Sequence, residues 1–313
     1  MQYNNVAFVF PGQGSQSLGM LMDLAETHPE VEKTFESASQ IISTDLWKIV
    51  KEGPVEQLNQ TENTQPLMLV SGVAVWRVWC KSSELRPGWM AGHSLGEISA
   101  LVCADALSFD DAILLVRERA RLMQEAVPSG MGAMAAIIGM DDPDVVTLCK
   151  DLAGEKIVAP VNFNAPGQVV IAGHADAVGQ AITAAKDKGA RRAMLLPVSV
   201  PSHCELMEPA AEQFALRLKT VELRSPEIPV IHNVDVASHA APEVIRSVLA
   251  KQLYSPVRWV DTITFMRDQG VNTIVECGPG KVLSGLNKRI VKTCDALAIT
   301  DNNTMQKALE FFE

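Results

Sequence analysis

The chain has 313 residues, enough for one large domain or two unequal domains with a sizeable buried core. Hydrophobic residues make up 47% of it and charged residues 20%, a balance that argues against disorder. The formal net charge of −10 disfavours general binding to nucleic acids or to anionic membranes.

Neither a targeting signal nor a membrane segment is expected from the sequence. The chain starts without a basic segment, and no apolar run is long enough to span a bilayer. The six cysteines are scattered without a Cys-x-x-Cys pair, which disfavours both a disulfide framework and a zinc site. We therefore expect a cytoplasmic protein without a metal, whose cysteines are reduced core residues.

The first predicted elements are a buried strand at residues 6–10 and a helix near residues 18–24. The glycine-rich loop between them lacks the third glycine of a dinucleotide fingerprint and the Lys-Ser/Thr end of a P-loop, so nucleotide binding is not expected. Residues 30–80 are predicted to be mostly helical, with breaks at residues 53–54 and 65–66.

A short apolar run then ends in Gly-His-Ser-Leu-Gly at residues 92–96 and opens into a helical pattern. This order is typical of a nucleophile elbow, in which the two glycines leave room for a sharp strand-to-helix turn around the serine. The helix would point its free N–H groups and positive dipole end at Ser94 and favour an oxyanion there. A small-residue turn with an incidental serine fits the pentapeptide equally well, so further site residues are needed.

The next predicted helix runs from a cap at Ser108, with Asp111 three residues on, to about Ala126. At 100° per residue, Arg119 falls in the middle of an apolar stripe. A buried guanidinium is costly without an anion, so Arg119 either binds an acidic ligand or pairs with an internal Asp or Glu. The stripe consists of Ala112, Leu115, Val116, Leu122, Met123 and Ala126.

Residues 128–198 show the order β-α-β-β-α-β, the split βαβ plan of ferredoxin-like domains. The predicted elements are strands at 132–139, 157–163, 168–172 and 191–198, and helices at 142–152 and 175–188. We interpret this segment as an insert in a large α/β domain made of residues 1–127 and 199–313. Further strands are predicted within 226–234 and 271–277, with a helix near 282–290.

A serine nucleophile at neutral pH needs a base, and a histidine is the usual choice. His203 follows the end of the predicted insert, and clefts between domains are common ligand sites. By position alone it is preferred, but His232, His93 or the absence of a catalytic histidine stay open.

Six segments in order along essentially the whole chain carry a specific family pattern. They are Phe-Pro-Gly-Gln-Gly-Ser-Gln (10–16), Gly-His-Ser-Leu-Gly-Glu (92–97), Arg-Ala-Arg-Leu-Met-Gln (119–124), Asn-Phe-Asn-Ala-Pro-Gly-Gln (162–168), Pro-Ser-His (201–203) and Leu-Tyr-Ser-Pro-Val (253–257). With these segments the chain resembles the malonyl-CoA:acyl carrier protein transacylases, most closely the discrete bacterial enzyme of fatty-acid synthesis. The resemblance implies an α/β-hydrolase-like large domain with a parallel sheet and a ferredoxin-like insert.

The resemblance also implies roles for individual residues. Ser94 would be the nucleophile and His203 the general base, with the backbone N–H groups of Leu95 and Gln13 as the oxyanion hole. The reaction would be a ping-pong transfer of the malonyl group from malonyl-CoA, through a malonyl-serine ester, to the phosphopantetheine thiol of acyl carrier protein. No cofactor of the enzyme's own is expected.

Three further positions follow from the same resemblance. Arg119 would hold the free carboxylate of the malonyl group in a bidentate pair. The backbone carbonyl of Gln252, in place of an aspartate, would orient His203. Asn162 corresponds to a polar residue near the cleft.

Acyl carrier proteins are acidic, so an acidic enzyme needs a local basic surface to bind one. Solvated charges on helix faces are an equally good explanation for any single candidate. The candidates are Lys186, Lys188, Arg191 and Arg192 in the insert, and Lys281, Lys288 and Arg289 across the cleft.

Three other functions compete with malonyl transfer. The first is an acyltransferase of polyketide synthesis that takes methylmalonyl units, because Ser202, just before the histidine, resembles the residue of the methylmalonyl type at that position. Leu95 and the whole-chain match favour malonyl instead. An esterase or thioesterase of the α/β-hydrolase kind shares Gly-x-Ser-x-Gly but would need an acid between serine and histidine and would not explain Arg119. A catalytically idle carrier-binding module is disfavoured because every implied catalytic position is filled.

Overall fold

The computed structural model describes residues 2–128, 130–198 and 200–313. The strands are β1 (Gln2–Phe10), β2 (Arg86–Gly92), β3 (Gly132–Ile138), β4 (Val158–Ala165), β5 (Gln168–His174), β6 (Arg192–Leu195), β7 (Val230–Ile231), β8 (Thr273–Cys277) and β9 (Asp295–Ile299). The α-helices are α1 (Met22–Thr27), α2 (Glu30–Ile42), α3 (Leu46–Glu52), α4 (Val55–Asn59), α5 (Thr61–Ser82), α6 (Gly96–Cys103), α7 (Phe109–Ala126), α8 (Asp142–Leu152), α9 (Ala175–Asp187), α10 (Glu208–Leu218), α11 (Pro242–Gln252), α12 (Trp259–Asp268), α13 (Val282–Ile290) and α14 (Asn302–Phe312).

The larger sheet has five parallel strands in the order β7-β2-β1-β8-β9. The second half of its central strand β1, residues 6–10, is apolar and buried on both faces, as expected for a parallel strand covered by helices on each side. Val9 pairs with Ala91 of β2 and Glu276 of β8, so these strands end at the same edge. The loops that follow β1 and β2 therefore meet there, where ligands of open α/β sheets usually bind.

The smaller sheet has four antiparallel strands in the order β4-β5-β3-β6, with α8 and α9 packed on it. This is the predicted β-α-β-β-α-β unit, and the fold class expected from the sequence is confirmed. The division into two domains stays a prediction, supported by the two separate sheets. Its second boundary falls at Ser199, which lies outside the described residues.

The helix predicted near residues 18–24 is wrong at its start, since α1 begins only at Met22. Gly19 and Leu21 have φ values of 75° and 62°, which a right-handed helix cannot contain. The last strand of the smaller sheet is also shorter than predicted, covering Arg192–Leu195. Local propensity overestimated regular structure at both places.

The helix break predicted at residues 65–66 is wrong as well, because α5 runs through Pro66. Proline near the start of the helix removes one backbone hydrogen bond, to the carbonyl of Glu62. Glu62 is exposed, so water can satisfy that carbonyl. Burial of the following turns outweighs the lost bond.

Two other expectations from the sequence concern the cysteines, predicted to be reduced core residues, and the absence of a membrane segment. All six cysteines have free thiols, but Cys80 and Cys294 are only partly buried, which corrects the prediction that all lie in the core. Within the described ranges, no helix is both long and apolar enough to cross a membrane.

Candidate active site

The serine lies in a strained turn between β2 and α6. Ser94 has a φ of 52°, a left-handed conformation that side chains rarely adopt. A Cβ at Gly92 would lie 1.8 Å from the carbonyl carbon of Gly96, and one at Gly96 would lie 2.0 Å from the carbonyl oxygen of Phe10. Only glycine fits at either position, which is the geometry of a nucleophile elbow.

His203 is the histidine that contacts the serine. Its Nε2 lies 2.7 Å from Ser94 Oγ, and its Nδ1 lies 2.7 Å from the backbone carbonyl oxygen of Gln252. Gln252 is the last residue of α11, where carbonyl groups have no partner within the helix and can accept from a side chain. With Nδ1–H donating to that carbonyl, Nε2 is left to accept the proton of Ser94.

Electrostatics keeps this imidazole neutral. Burial lowers the pKa of His203 to about 3, and the positive charge of Arg119 acts in the same direction. A neutral ring is the form that can accept a proton from Ser94.

The two other candidate histidines have different partners. The ring of His93 lies 2.8 Å from Asn164 Oδ1 and 5.5 Å from the centre of the Trp259 ring. His232 is fully buried and its Nδ1 lies 2.8 Å from Glu97 Oε1. Neither His93 nor His232 hydrogen-bonds to Ser94 Oγ, which contacts His203 and Arg119 instead.

Arg119 lies on the buried face of α7, whose predicted Ser108 cap is confirmed by a hydrogen bond from the N–H of Asp111. Its guanidinium is only 2% exposed and donates to two neutral amide oxygens, of Gln65 at 2.8 Å and Gln252 at 3.0 Å. Its Nη2 also lies 3.3 Å from Ser94 Oγ.

The positive charge of Arg119 has no direct counter-ion in the part of the chain that the structure describes. None of the ion pairs there includes it, and its buried Nε has no hydrogen-bond partner. Burial lowers the pKa of Arg119 to about 10, which still leaves it charged at neutral pH. The internal salt bridge considered from the sequence is therefore absent among these residues, and a guanidinium without an anion lies beside the serine.

A pocket opens at this point between the two sheets. Met134 and Asn162 line it from the smaller sheet, Ser94 lines it from the turn after β2 of the larger sheet, and Arg119 lines it from α7. Asn162 Oδ1 is buried without a hydrogen-bond partner among the described residues. The remaining lining residues are Gln13, Thr61, Gln65, His93, Leu95, Met123, Leu196, Val198, Val200, Ser202 and His203.

Gln13 and Leu95 thus reach the same pocket from the loops after β1 and β2. The N–H groups of both residues donate to no other residue within the described ranges. Leu95 is the residue before α6, where a free N–H points along the positive end of the helix dipole. Both N–H groups can donate to an atom bound in the pocket.

Sequence reasoning missed a second layer around the site. Glu97, in the fully buried α6, accepts hydrogen bonds from the N–H of Asn233 and from Gln252 Nε2, at 2.8 and 2.9 Å. Asn233 Oδ1 in turn accepts from the N–H of Ser94 at 2.8 Å. A charged residue in an otherwise apolar helix was the available signal, the same one that had identified Arg119.

Metal ligation has no support in the described ranges. There, no cluster of three or more His, Cys, Asp or Glu side chains could hold a metal ion.

Comparison with known proteins adds the family. Residues 7–307 match the acyl transferase domain. The malonyl CoA-acyl carrier protein transacylase of Escherichia coli strain K12 is 53% identical over 97% of this chain and 98% of its own. That of Bacillus subtilis strain 168 is 43% identical over 98% and 97%.

Solved structures agree with these relatives. An acyl carrier protein S-malonyltransferase from Vibrio cholerae superposes with a TM-score of 0.95 at 53% identity, covering 97% of this chain and 99% of that one. A malonyl transacylase in complex with its type II PKS acyl carrier protein gives 0.97 at 53% identity, covering 98% and 99%. The chain therefore belongs to the acyl transferase domain family and, within it, to the malonyl-CoA:acyl carrier protein transacylases.

Proposed function

We propose that this acyltransferase moves a malonyl group from malonyl-CoA to the phosphopantetheine thiol of acyl carrier protein, and so supplies extender units for fatty-acid synthesis. The observation that carries the proposal is Arg119, a buried guanidinium without a counter-ion beside Ser94 Oγ. A short acyl group ending in a carboxylate would supply the missing anion.

The first half-reaction loads the enzyme. Ser94 Oγ attacks the thioester carbonyl carbon of malonyl-CoA while its proton passes to His203 Nε2. The N–H groups of Gln13 and Leu95 would hold the resulting oxyanion, and losing one such donor costs about 3 kcal/mol in comparable sites. The C–S bond then breaks, the CoA sulfur takes the proton from His203, and malonyl-Ser94 remains.

The second half-reaction reverses these steps with a different thiol. The phosphopantetheine thiol of acyl carrier protein gives its proton to His203 and attacks the malonyl-serine carbonyl carbon. The ester C–O bond breaks and Ser94 Oγ recovers the proton. We propose that this chemistry uses only the side chains and backbone of the chain and the phosphopantetheine that the carrier brings.

The geometry disfavours a hydrolase of the kind considered from the sequence. The group that orients His203 Nδ1 is the backbone carbonyl of Gln252 and not a carboxylate. Hydrolysis of a neutral ester would also not use the unpaired buried charge of Arg119. The cytoplasmic location stays a prediction from the sequence.

Intact mass spectrometry after mixing with malonyl-, methylmalonyl- or acetyl-CoA tests the proposal. We expect rapid addition of one malonyl group to the wild-type chain and none to Ser94→Ala. Arg119→Ala should lower the malonyl acylation rate by about 100-fold or more, because removing one partner of a buried ion pair costs about 3–5 kcal/mol. Its acetyl rate should change little.

The outcomes separate the parts of the proposal. Normal malonyl loading of Ser94→Ala would exclude the serine ester, and an unchanged malonyl-to-acetyl ratio in Arg119→Ala would exclude the carboxylate contact. Faster loading by methylmalonyl-CoA than by malonyl-CoA would favour the polyketide-type alternative. Ser202, which lines the pocket, would then be the candidate residue for selecting methylmalonyl units.

A further inference from the structure

Behind the proposed catalytic residues lies a fully buried polar network centred on Glu97. Its carboxylate is 0% exposed and accepts three hydrogen bonds, from His232 Nδ1, the N–H of Asn233 and Gln252 Nε2, at 2.8, 2.8 and 2.9 Å. An ionised carboxylate can only accept, so every group facing it must present a hydrogen.

This rule determines the orientation of the Gln252 side-chain amide. Because Nε2 must face Glu97, Oε1 faces the opposite way and accepts from Arg119 Nη2 at 3.0 Å. A flipped amide would set Oε1 against the carboxylate and the NH2 group against the guanidinium. Both contacts would then be repulsive.

The same amide keeps the two charges apart. Glu97 and Arg119 form no ion pair with each other, although the charge of Glu97 acts on the pKa of Arg119 and raises it against the effect of burial. A carboxylate in direct contact with Arg119 would compete with a substrate carboxylate for the guanidinium. With Gln252 between them, Arg119 is held and partly compensated while Nε stays without a partner.

From this geometry we infer that Glu97 is a positioning and specificity-determining residue: through Gln252 it holds Arg119 in the orientation that selects carboxylate-bearing acyl groups. The inference rests on the proposed role of Arg119. A second arm runs from Glu97 through Asn233 to the N–H of Ser94 and braces the elbow. Gln252 Nε2 also donates to the backbone carbonyl of Ser94 at 3.0 Å. Because both of these contacts support the serine itself, they affect all acyl donors alike, whereas the contact of Gln252 Oε1 with Arg119 affects only donors that carry a carboxylate.

The two arms give different readouts. Glu97→Gln keeps the shape of the side chain and removes the charge, and His232 can adapt because its ring can exchange tautomers. We expect the malonyl-to-acetyl ratio of acylation rates to fall about 10-fold, the size of one weakened buried charge-assisted hydrogen bond. Loss of folded protein would lower both rates equally and leave the ratio unchanged.

Glu276→Gln is the matched control. Glu276 is also a fully buried carboxylate, but it accepts from the N–H groups of Leu283 and Ser284 at the start of α13. This variant should keep the wild-type ratio. If Glu97→Gln does not fold, Gln252→Met removes the amide while keeping the backbone carbonyl, and should lower the ratio similarly.

A double-mutant cycle with Arg119→Ala completes the test. If Glu97 acts through Arg119, then Glu97→Gln should change the ratio in the wild-type background and have no further effect on it in Arg119→Ala. An unchanged ratio in the first case, or an equal fall in both, would overturn the role of Glu97. If the Arg119→Ala single variant keeps the wild-type malonyl-to-acetyl ratio of acylation rates, that result would instead overturn the proposed function.

Discussion

At the scale of single residues, the site depends on polar groups that burial would normally make costly. Ser94, His203 and Arg119 meet within hydrogen-bond distance, and each is held by a partner from another part of the chain. Burial lowers the pKa of both His203 and Arg119, but the two side chains end in different charge states. It makes His203 neutral and leaves Arg119 charged, because the guanidinium starts from a far higher pKa.

The pKa of His203 gives a prediction on pH dependence. For an imidazole with the ordinary pKa of about 6.5, the fraction in the neutral form would fall about 10-fold between pH 7.5 and pH 5.5. Since burial lowers the pKa of His203 to about 3, the base stays neutral across this range. We expect the single-turnover rate of Ser94 acylation by malonyl-CoA to change less than about two-fold.

The measurement is rapid quenching followed by intact mass spectrometry at each pH. In Arg119→Ala the acid limb should move to higher pH, because a positive charge that opposes protonation is gone. A ten-fold fall in the wild-type rate with a midpoint near pH 6.5 would show that His203 is not the buried base of this step.

At the scale of elements, β1, β2 and α6 meet so closely that the elbow has no room for a side chain. The expected consequence is that Gly96→Ala pushes α6 away from β1, since its Cβ would lie 2.0 Å from the carbonyl oxygen of Phe10. We expect the free energy of unfolding in urea to fall by roughly 1–3 kcal/mol or more, with loss of Ser94 acylation.

Gly179→Ala is the control for this substitution. Gly179 lies within α9, and a Cβ there has no atom within 4 Å. Alanine at this position should raise the free energy of unfolding by roughly 0.5–1 kcal/mol through its better helix propensity. Equal effects of the two substitutions would contradict the close contact at the elbow.

At the scale of the whole molecule, the pocket lies where the two sheets meet, so a carrier that delivers its thiol there would contact both. Arg192 of β6 and Arg289 of α13 are both exposed. Arg289 also donates to the carbonyl of Pro166 and to Gln168 in the smaller sheet. Reversing the charge of Arg289 would disturb this contact, so Arg192 is the cleaner probe of the predicted basic surface.

We expect Arg192→Glu to raise the KM for acyl carrier protein about 3- to 10-fold at low salt, with little effect on acylation by malonyl-CoA. Increasing salt should raise the wild-type KM and narrow the difference. Lys33→Glu on α2, which packs on α5 and α7, changes the net charge equally and should have no effect. A KM that responds to neither salt nor Arg192→Glu would remove the basic surface from the proposal.

Much of the fold and part of the candidate site could be predicted from local sequence patterns. The glycine spacing of the elbow, the Ser108 cap, the apolar stripe that buries Arg119 and the order of elements in the smaller sheet are all read over short stretches. The resemblance named the remaining site positions. Without the resemblance, His203, His232 and His93 all stayed possible as the catalytic base, as did a site without a histidine. The reason is that the sequence neighbours of a side chain do not reveal its distant partners.

The sequence by itself determined the elbow, the inward arginine and the two-sheet α/β fold, because turns and helical or strand periodicity are local properties of the chain. Only the tertiary structure decided which groups meet. Ser94 contacts His203 from 109 residues away, and Glu97 contacts Gln252 from 155 residues away. Such contacts depend on how distant elements pack in three dimensions, which no short stretch of sequence encodes.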